Sequence, residues 1–129
     1  MQKNIVNTQN APAAIGAYSQ AVSVGRTVYV SGQIPLEPNT MDIVEGGFVD
    51  QAAQVFKNLN AVAQAAGGSL SDAVKLTVYV TNLDNFSELN SVMAQYCKEP
   101  YPARAAVEVS ALPKGALVEI DAILELTQS

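Results

Sequence analysis

The amino-acid sequence predicts an α+β domain, a mixed β-sheet with two helices packed on one of its faces. Three observations predict it. Apolar residues alternate with period two in the early, central and late parts of the chain. They recur at helical spacing over 48–66 and 85–98, and Gly or Pro punctuates each change of period. The resulting order is strand, strand, loop, helix, strand, helix, strand, strand. A length of 129 residues suits one domain, 1–129, rather than two.

Residues 1–16 supply a short strand and an irregular approach ending in Ile15-Gly16. Residues 17–24 can alternate, and Gly25-Arg26 reads as a hairpin turn into a strand over Thr27–Ser31 that Gly32 ends. Pro35, Pro38 and Asn39 keep the next stretch out of a helix. From Phe48 to Ala66, Ala52, Val55, Phe56, Leu59, Val62, Ala63 and Ala66 form one apolar stripe, with Gln51, Gln54, Lys57, Asn58 and Gln64 elsewhere. Asp50 favours the helix N-terminus and Gly67-Gly68 ends the helix. Residues 73–81 place Val74, Leu76, Val78 and Val80 on one side and Lys75, Thr77, Tyr79 and Thr81 on the other. Asn82 or Asp84 caps a second helix, stopped by Pro100 and Pro102, whose inward stripe is Phe86, Leu89, Val92 or Met93, and Tyr96. Strands at about 104–110 and 116–126 follow.

Apolar residues make up 49% of the chain and charged ones only 15%. With both helices on one sheet face the other lies open, and Thr77 and Tyr79 are candidate interface residues. Self-association answers both features, because buried subunit surfaces need few charges; abundant surface amides answer the first without it. Seven basic residues never cluster and the net charge is −5, which argues against a nucleic-acid track. No apolar run is long enough to span a membrane, and the first residues lack a signal-peptide core. A single Cys97 fits a reducing compartment. These features lead us to expect a cytoplasmic protein. With no histidine, Ser-His-Asp, Cys-His and His-ligated metal chemistry are excluded. Neither nucleotide-binding glycine motif is present, so no cofactor or metal is expected.

Arg104 opens a strand in PARAAVEV. A guanidinium beside a sheet core is costly unless it meets an anion, and its planar fork suits a carboxylate. A ligand carboxylate and an internal pair with Glu108 are both open readings. In ALVEIDAILEL, alternation puts Leu117, Glu119, Asp121 and Ile123 on one face and Val118, Ile120, Ala122 and Leu124 on the other. Glu119 reads either as a water-orienting carboxylate or as part of a solvated edge. If the last two strands pair antiparallel, Arg104 and Glu119 are offset, yet both could line one cleft across a subunit boundary. Tyr18 reads as a pocket cap or a half-buried ring. Ser31-Gly32-Gln33 reads as an anion-binding strand end or a plain turn. Nothing near Cys97 would activate its thiol.

GAYSQAV, YVSGQIPL, AVKLTVYVTNLDNFSELN and PARAAVEVSALPKGALVEIDAI together resemble the Rid (YjgF) family of enamine/imine deaminases, also known as endoribonuclease L-PSP proteins. The resemblance runs from about Asn10 to Leu126. It implies a chorismate-mutase-like fold, a homotrimer whose sheets form a central barrel, and sites between subunits. It implies cofactor-free hydrolysis of 2-aminoacrylate and 2-aminocrotonate type intermediates to 2-oxo acids and ammonia. By resemblance Arg104 clamps the substrate carboxylate, Glu119 positions water, Tyr18 closes the pocket, and Ser31, Gly32 and Asn90 line it. Two departures bear on substrate range: Ala17 stands where many members have proline, and Ala106 where many have cysteine. Lys98–Pro102 is also short and could reshape the pocket rim. A non-enzymatic ligand-binding, regulatory or chaperone-like role is the rival reading. Chorismate mutase itself would call for more cations than Arg104 has around it.

Overall fold

The computed structural model describes residues 2–127. Six strands form one mixed sheet: β1 (Lys3–Val6), β2 (Ala21–Val24), β3 (Thr27–Gln33), β4 (Ala73–Val80), β5 (Ala103–Glu108) and β6 (Val118–Glu125). Two helices, α1 (Phe48–Ala65) and α2 (Phe86–Tyr96), complete it. The spatial order is β1-β2-β3-β6-β4-β5. All neighbours are antiparallel except β4 and β5, which run parallel. Parallel strands cannot share a tight turn, and α2 supplies the crossover between them.

The last two strands therefore do not pair with each other. They flank β4, and residues 109–117 arch over its end, where Val109 N donates to Val80 O (2.8 Å) and Thr81 N to Leu117 O (3.3 Å). The Gly25-Arg26 turn is formed as expected, with Val24 opposite Thr27 and Gly25 at φ 61°. Gly32 does not end its strand. β3 continues to Gln33 through an irregularity between Val30 and Gln33.

One sheet face and the two helices enclose the core. Val28, Leu76, Val78, Val118 and Ile120 from the sheet are fully buried with Val55, Phe56, Val62 and Leu89 from the helices. A register shift between Ala73 and Lys75 turns the predicted row by one residue, so Ala73 is buried and Val74 is 48% exposed. Gln51 and Asn58, expected on the outer helix face, are buried instead. Gln51 Oε1 accepts from Leu117 N (2.8 Å), and Asn58 Nδ2 donates to Leu36 O (3.0 Å) and Ile34 O (3.3 Å). They satisfy backbone groups of irregular segments that cross the core edge. Asp50 accepts from Gly47 N (3.1 Å) at the start of α1. Asn82 caps a 3-10 turn, Leu83–Asn85, that leads into α2, and the helix ends at Tyr96. The Tyr96 ring stacks on Phe56 at 5.6 Å.

Among the described residues, the opposite sheet face carries no helix. Its rows pass through Ile5, Val22, Tyr29 and Ile123, and through Val107, Tyr79 and Glu119. All of these residues are half-buried or exposed.

Candidate active site

Strand register places the two leading candidates. Arg104 pairs with Leu76 and Glu119 with Tyr79, on opposite flanks of β4. Paired residues share a sheet face, and faces alternate along a strand. Leu76 is in the core and Tyr79 on the open face, so Arg104 lies on the helix side and Glu119 on the open side. Within one chain the two side chains face apart.

Arg104 turns toward α2. Its Nη1 donates to Asn90 Oδ1 (2.6 Å) and contacts Met93 Sδ (3.7 Å), while the guanidinium lies 4.8 Å from the centre of the Phe86 ring. The internal pair with Glu108 is not formed. Glu108 accepts from Leu83 N at 3.0 Å and lies near the end of β5. Asn90, Met93, Ala94, Tyr101, Pro102 and Arg104 line a cavity of about 500 Å³. Arg104 is the one charged residue in that lining, so an anion entering it meets a single cation among uncharged neighbours.

Glu119 lies in a second cleft of about 290 Å³, with Tyr18, Gly32, Met41 and Lys114 among its lining residues. A Cβ on Gly32 would collide with the Glu119 carboxylate, so glycine at that position makes room for it. Burial raises the Glu119 pKa above the ordinary carboxylate value, and the negative charge of Asp121, two residues along the same face, raises it further. Asp121 accepts from the Tyr79 hydroxyl at 3.2 Å. Lys114 Nζ donates to Met41 O (2.8 Å), tying together two residues with positive φ.

Of the remaining predicted residues all but Ser31, which lines neither cleft, divide between these two. Asn90 joins Arg104, and Tyr18 and Gly32 join Glu119. Tyr18 is 55% exposed, and its hydroxyl oxygen accepts from Ile15 N (3.4 Å). The Ser31 hydroxyl donates to Ser19 O, holding the segment that carries Tyr18 to β3. Buried Gln20 acts similarly: its Nε2 donates to Pro12 O (2.8 Å) and Thr8 O (3.0 Å), and its Oε1 accepts from Thr8 N (2.7 Å). Cys97 is buried, which raises its thiol pKa and disfavours the reactive thiolate. Among the described residues no group of three or more His, Cys, Asp or Glu is placed to hold a metal ion. Among the same residues no helix is long and apolar enough to cross a membrane.

Sequence reasoning did not assign Met93, Tyr101 or Lys114 to these clefts, nor Phe86 and Asp121 as the neighbours of Arg104 and Glu119. Phe86 and Met93 sit on the inward stripe of α2, where apolar side chains read as core. The aromatic residue four positions before Asn90, one turn of helix away, was the available signal.

Fold and clefts define the class: a small α+β protein with one helix-covered sheet face and two clefts, one holding Arg104 and the other Glu119. The chain belongs to the Rid (YjgF) family, since the family model described as "Endoribonuclease L-PSP" matches residues 8–126. A "RutC family protein" of Pyrococcus horikoshii is 49% identical over 121 residues, covering 94% of this chain and 96% of that protein. The human protein named "2-iminobutanoate/2-iminopropanoate deaminase" is 44% identical, covering 94% of this chain and 88% of its own. The crystal structure of RidA from the Antarctic bacterium Psychrobacter sp. superposes with a TM-score of 0.93 at 55% identity, covering 95% of this chain and 99% of that one.

Proposed function

We propose that this protein is a hydrolytic deaminase of 2-imino acids and their enamine tautomers, of the 2-aminoacrylate and 2-aminocrotonate type. Its products are 2-oxo acids and ammonia. The observation that carries the reading is Arg104, a lone cation in a cavity of otherwise uncharged residues, held by Asn90 with no acid beside it. Such a group is suited to a small carboxylate. Family membership and the human relative's name support the reaction class.

In this mechanism Arg104 clamps the 2-carboxylate and fixes the position of C2. An enamine first takes a proton at its β-carbon and gives one up from nitrogen, becoming the imine. The imine carbon is already electrophilic, so water needs orientation and a modest base rather than an activated nucleophile. Glu119 takes a proton from water as the C2–O bond forms and passes it to nitrogen, giving a carbinolamine. It then carries the hydroxyl proton to the amine. The C2–N bond breaks, a carbonyl forms, and ammonia leaves. No step requires a cofactor.

Because Arg104 and Glu119 face opposite sides of their own sheet, a site using both takes Arg104 from one copy and Glu119 from a neighbour. We take the working unit to be a homotrimer whose open sheet faces pack into a central barrel, with a site between each pair of subunits. Tyr18 and Gly32 then enter with Glu119, and Asn90 with Arg104; Ser31 holds the Tyr18 segment. The buried single thiol suits the cytoplasm.

In the test, a dehydratase generates 2-aminoacrylate in situ and 2-oxo acid release is followed. Wild type accelerates release, Arg104→Ala reduces it to background, and Glu119→Gln lowers it by about 10²–10⁴-fold. An undiminished rate in R104A would remove the clamp. Inactive wild type that still binds 2-oxo acids tightly would instead favour a ligand-binding protein.

A further inference from the structure

We infer that Phe86 is a positioning residue that, with Asn90 and Met93, fixes the Arg104 guanidinium so that the substrate carboxylate is received on its Nε/Nη2 edge. This inference deepens the deaminase reading and rests on it for the identity of the ligand.

A guanidinium has five N–H donors in one plane and can offer a carboxylate either its Nη1/Nη2 edge or its Nε/Nη2 edge. Nη1 is already engaged here. It donates to Asn90 Oδ1 at 2.6 Å and reaches Met93 Sδ at 3.7 Å. Among the described residues, Nε and Nη2 have no protein acceptor, so the edge they form is the one left for a bidentate anion. The guanidinium carbon lies over the Phe86 ring, 4.8 Å from its centre, so the ring backs the guanidinium on one side. The anion is thereby steered toward the open edge.

Phe86, Asn90 and Met93 project from one face of α2, at spacings of four and three residues. One rigid element thus sets the ring, the acceptor and the sulfur together. Phe86 is only half-buried, packed at the margin of the core rather than within it. Its ring is placed as a platform for Arg104. Pre-orienting the fork reduces the ordering that ligand binding would otherwise require.

Binding of 2-oxobutanoate, an unreactive analogue of the imine, is measured by calorimetry on the intact protein alongside imine-hydrolysis kinetics. Phe86→Leu removes the ring but keeps an apolar side chain. It weakens 2-oxobutanoate by about tenfold and raises KM similarly while changing kcat less than about twofold. Phe86→Tyr restores both values to near wild type, and Met93→Leu weakens binding by less than F86L does. Thermal unfolding reports whether each variant is folded. Should F86L fail to fold, F86Y and M93L still decide: tenfold weakening in F86Y would contradict the platform. Wild-type-like binding in F86L would overturn the inference even with the deaminase activity intact. If the wild type has no deaminase activity, the reaction assignment fails, but loss of 2-oxobutanoate binding in F86L with recovery in F86Y still supports the platform.

Discussion

Glu119 shows how one residue's surroundings set both stability and reactivity. Its pKa is raised by burial and by the charge on Asp121, so the folded chain holds that proton more tightly than the unfolded chain does. The stability linked to it is complete below the unfolded value, near 4.5, and is lost as pH rises through the folded value. Glu119→Gln is therefore expected to unfold at a higher temperature than wild type near neutral pH. The gap should close as pH falls below 4.5. Melting scans from pH 4 to pH 8 check this, and a constant gap would contradict the assigned cause. The same residue sets the acid limb of the pH–rate profile if it acts as the base. Asp121→Asn removes a like charge and should move that limb to lower pH. Tyr18 and Lys114, which line this cleft, and Tyr79, the partner of Asp121, remain in place in that variant.

At the scale of elements, helix and strand periods were readable because burial imposes them locally. The α1 stripe and the alternation of β6 both match the observed burial. Pairing was less readable, since whether β5 lies beside β6 or beyond β4 is a long-range choice that alternation does not record. The Val74 error has the same origin: a register shift at Ala73–Lys75 leaves no compositional mark. Amides favour solvent, which puts Gln51 and Asn58 on the outer face of α1 by composition, yet their carbonyl and N–H groups serve backbone atoms that would otherwise be orphaned. Asn58→Ala is expected to cost about 1–3 kcal/mol, since it leaves the buried Leu36 carbonyl without its donor, while the Ile34 carbonyl still accepts from Leu36 N. Denaturant unfolding measures it, and a loss below about 0.5 kcal/mol would show that water replaces the amide.

For the whole molecule, Arg104 and Glu119 were legible as candidates from residue type and motif, but their relation was not. Spacing in sequence could not reveal that β4 separates them or that they face opposite sides of the sheet. That separation is the strongest reason to place the complete site between copies. Two individually impaired variants, Arg104→Ala and Glu119→Gln, provide the most direct test. They are unfolded together, refolded at equal concentration and assayed for imine hydrolysis beside each variant refolded alone. Shared sites predict recovery to roughly a quarter of wild-type activity, the fraction of interfaces that receive both intact residues under random assembly. Recovery no greater than the sum of the separate variants, in assemblies shown to be mixed, would contradict the shared site.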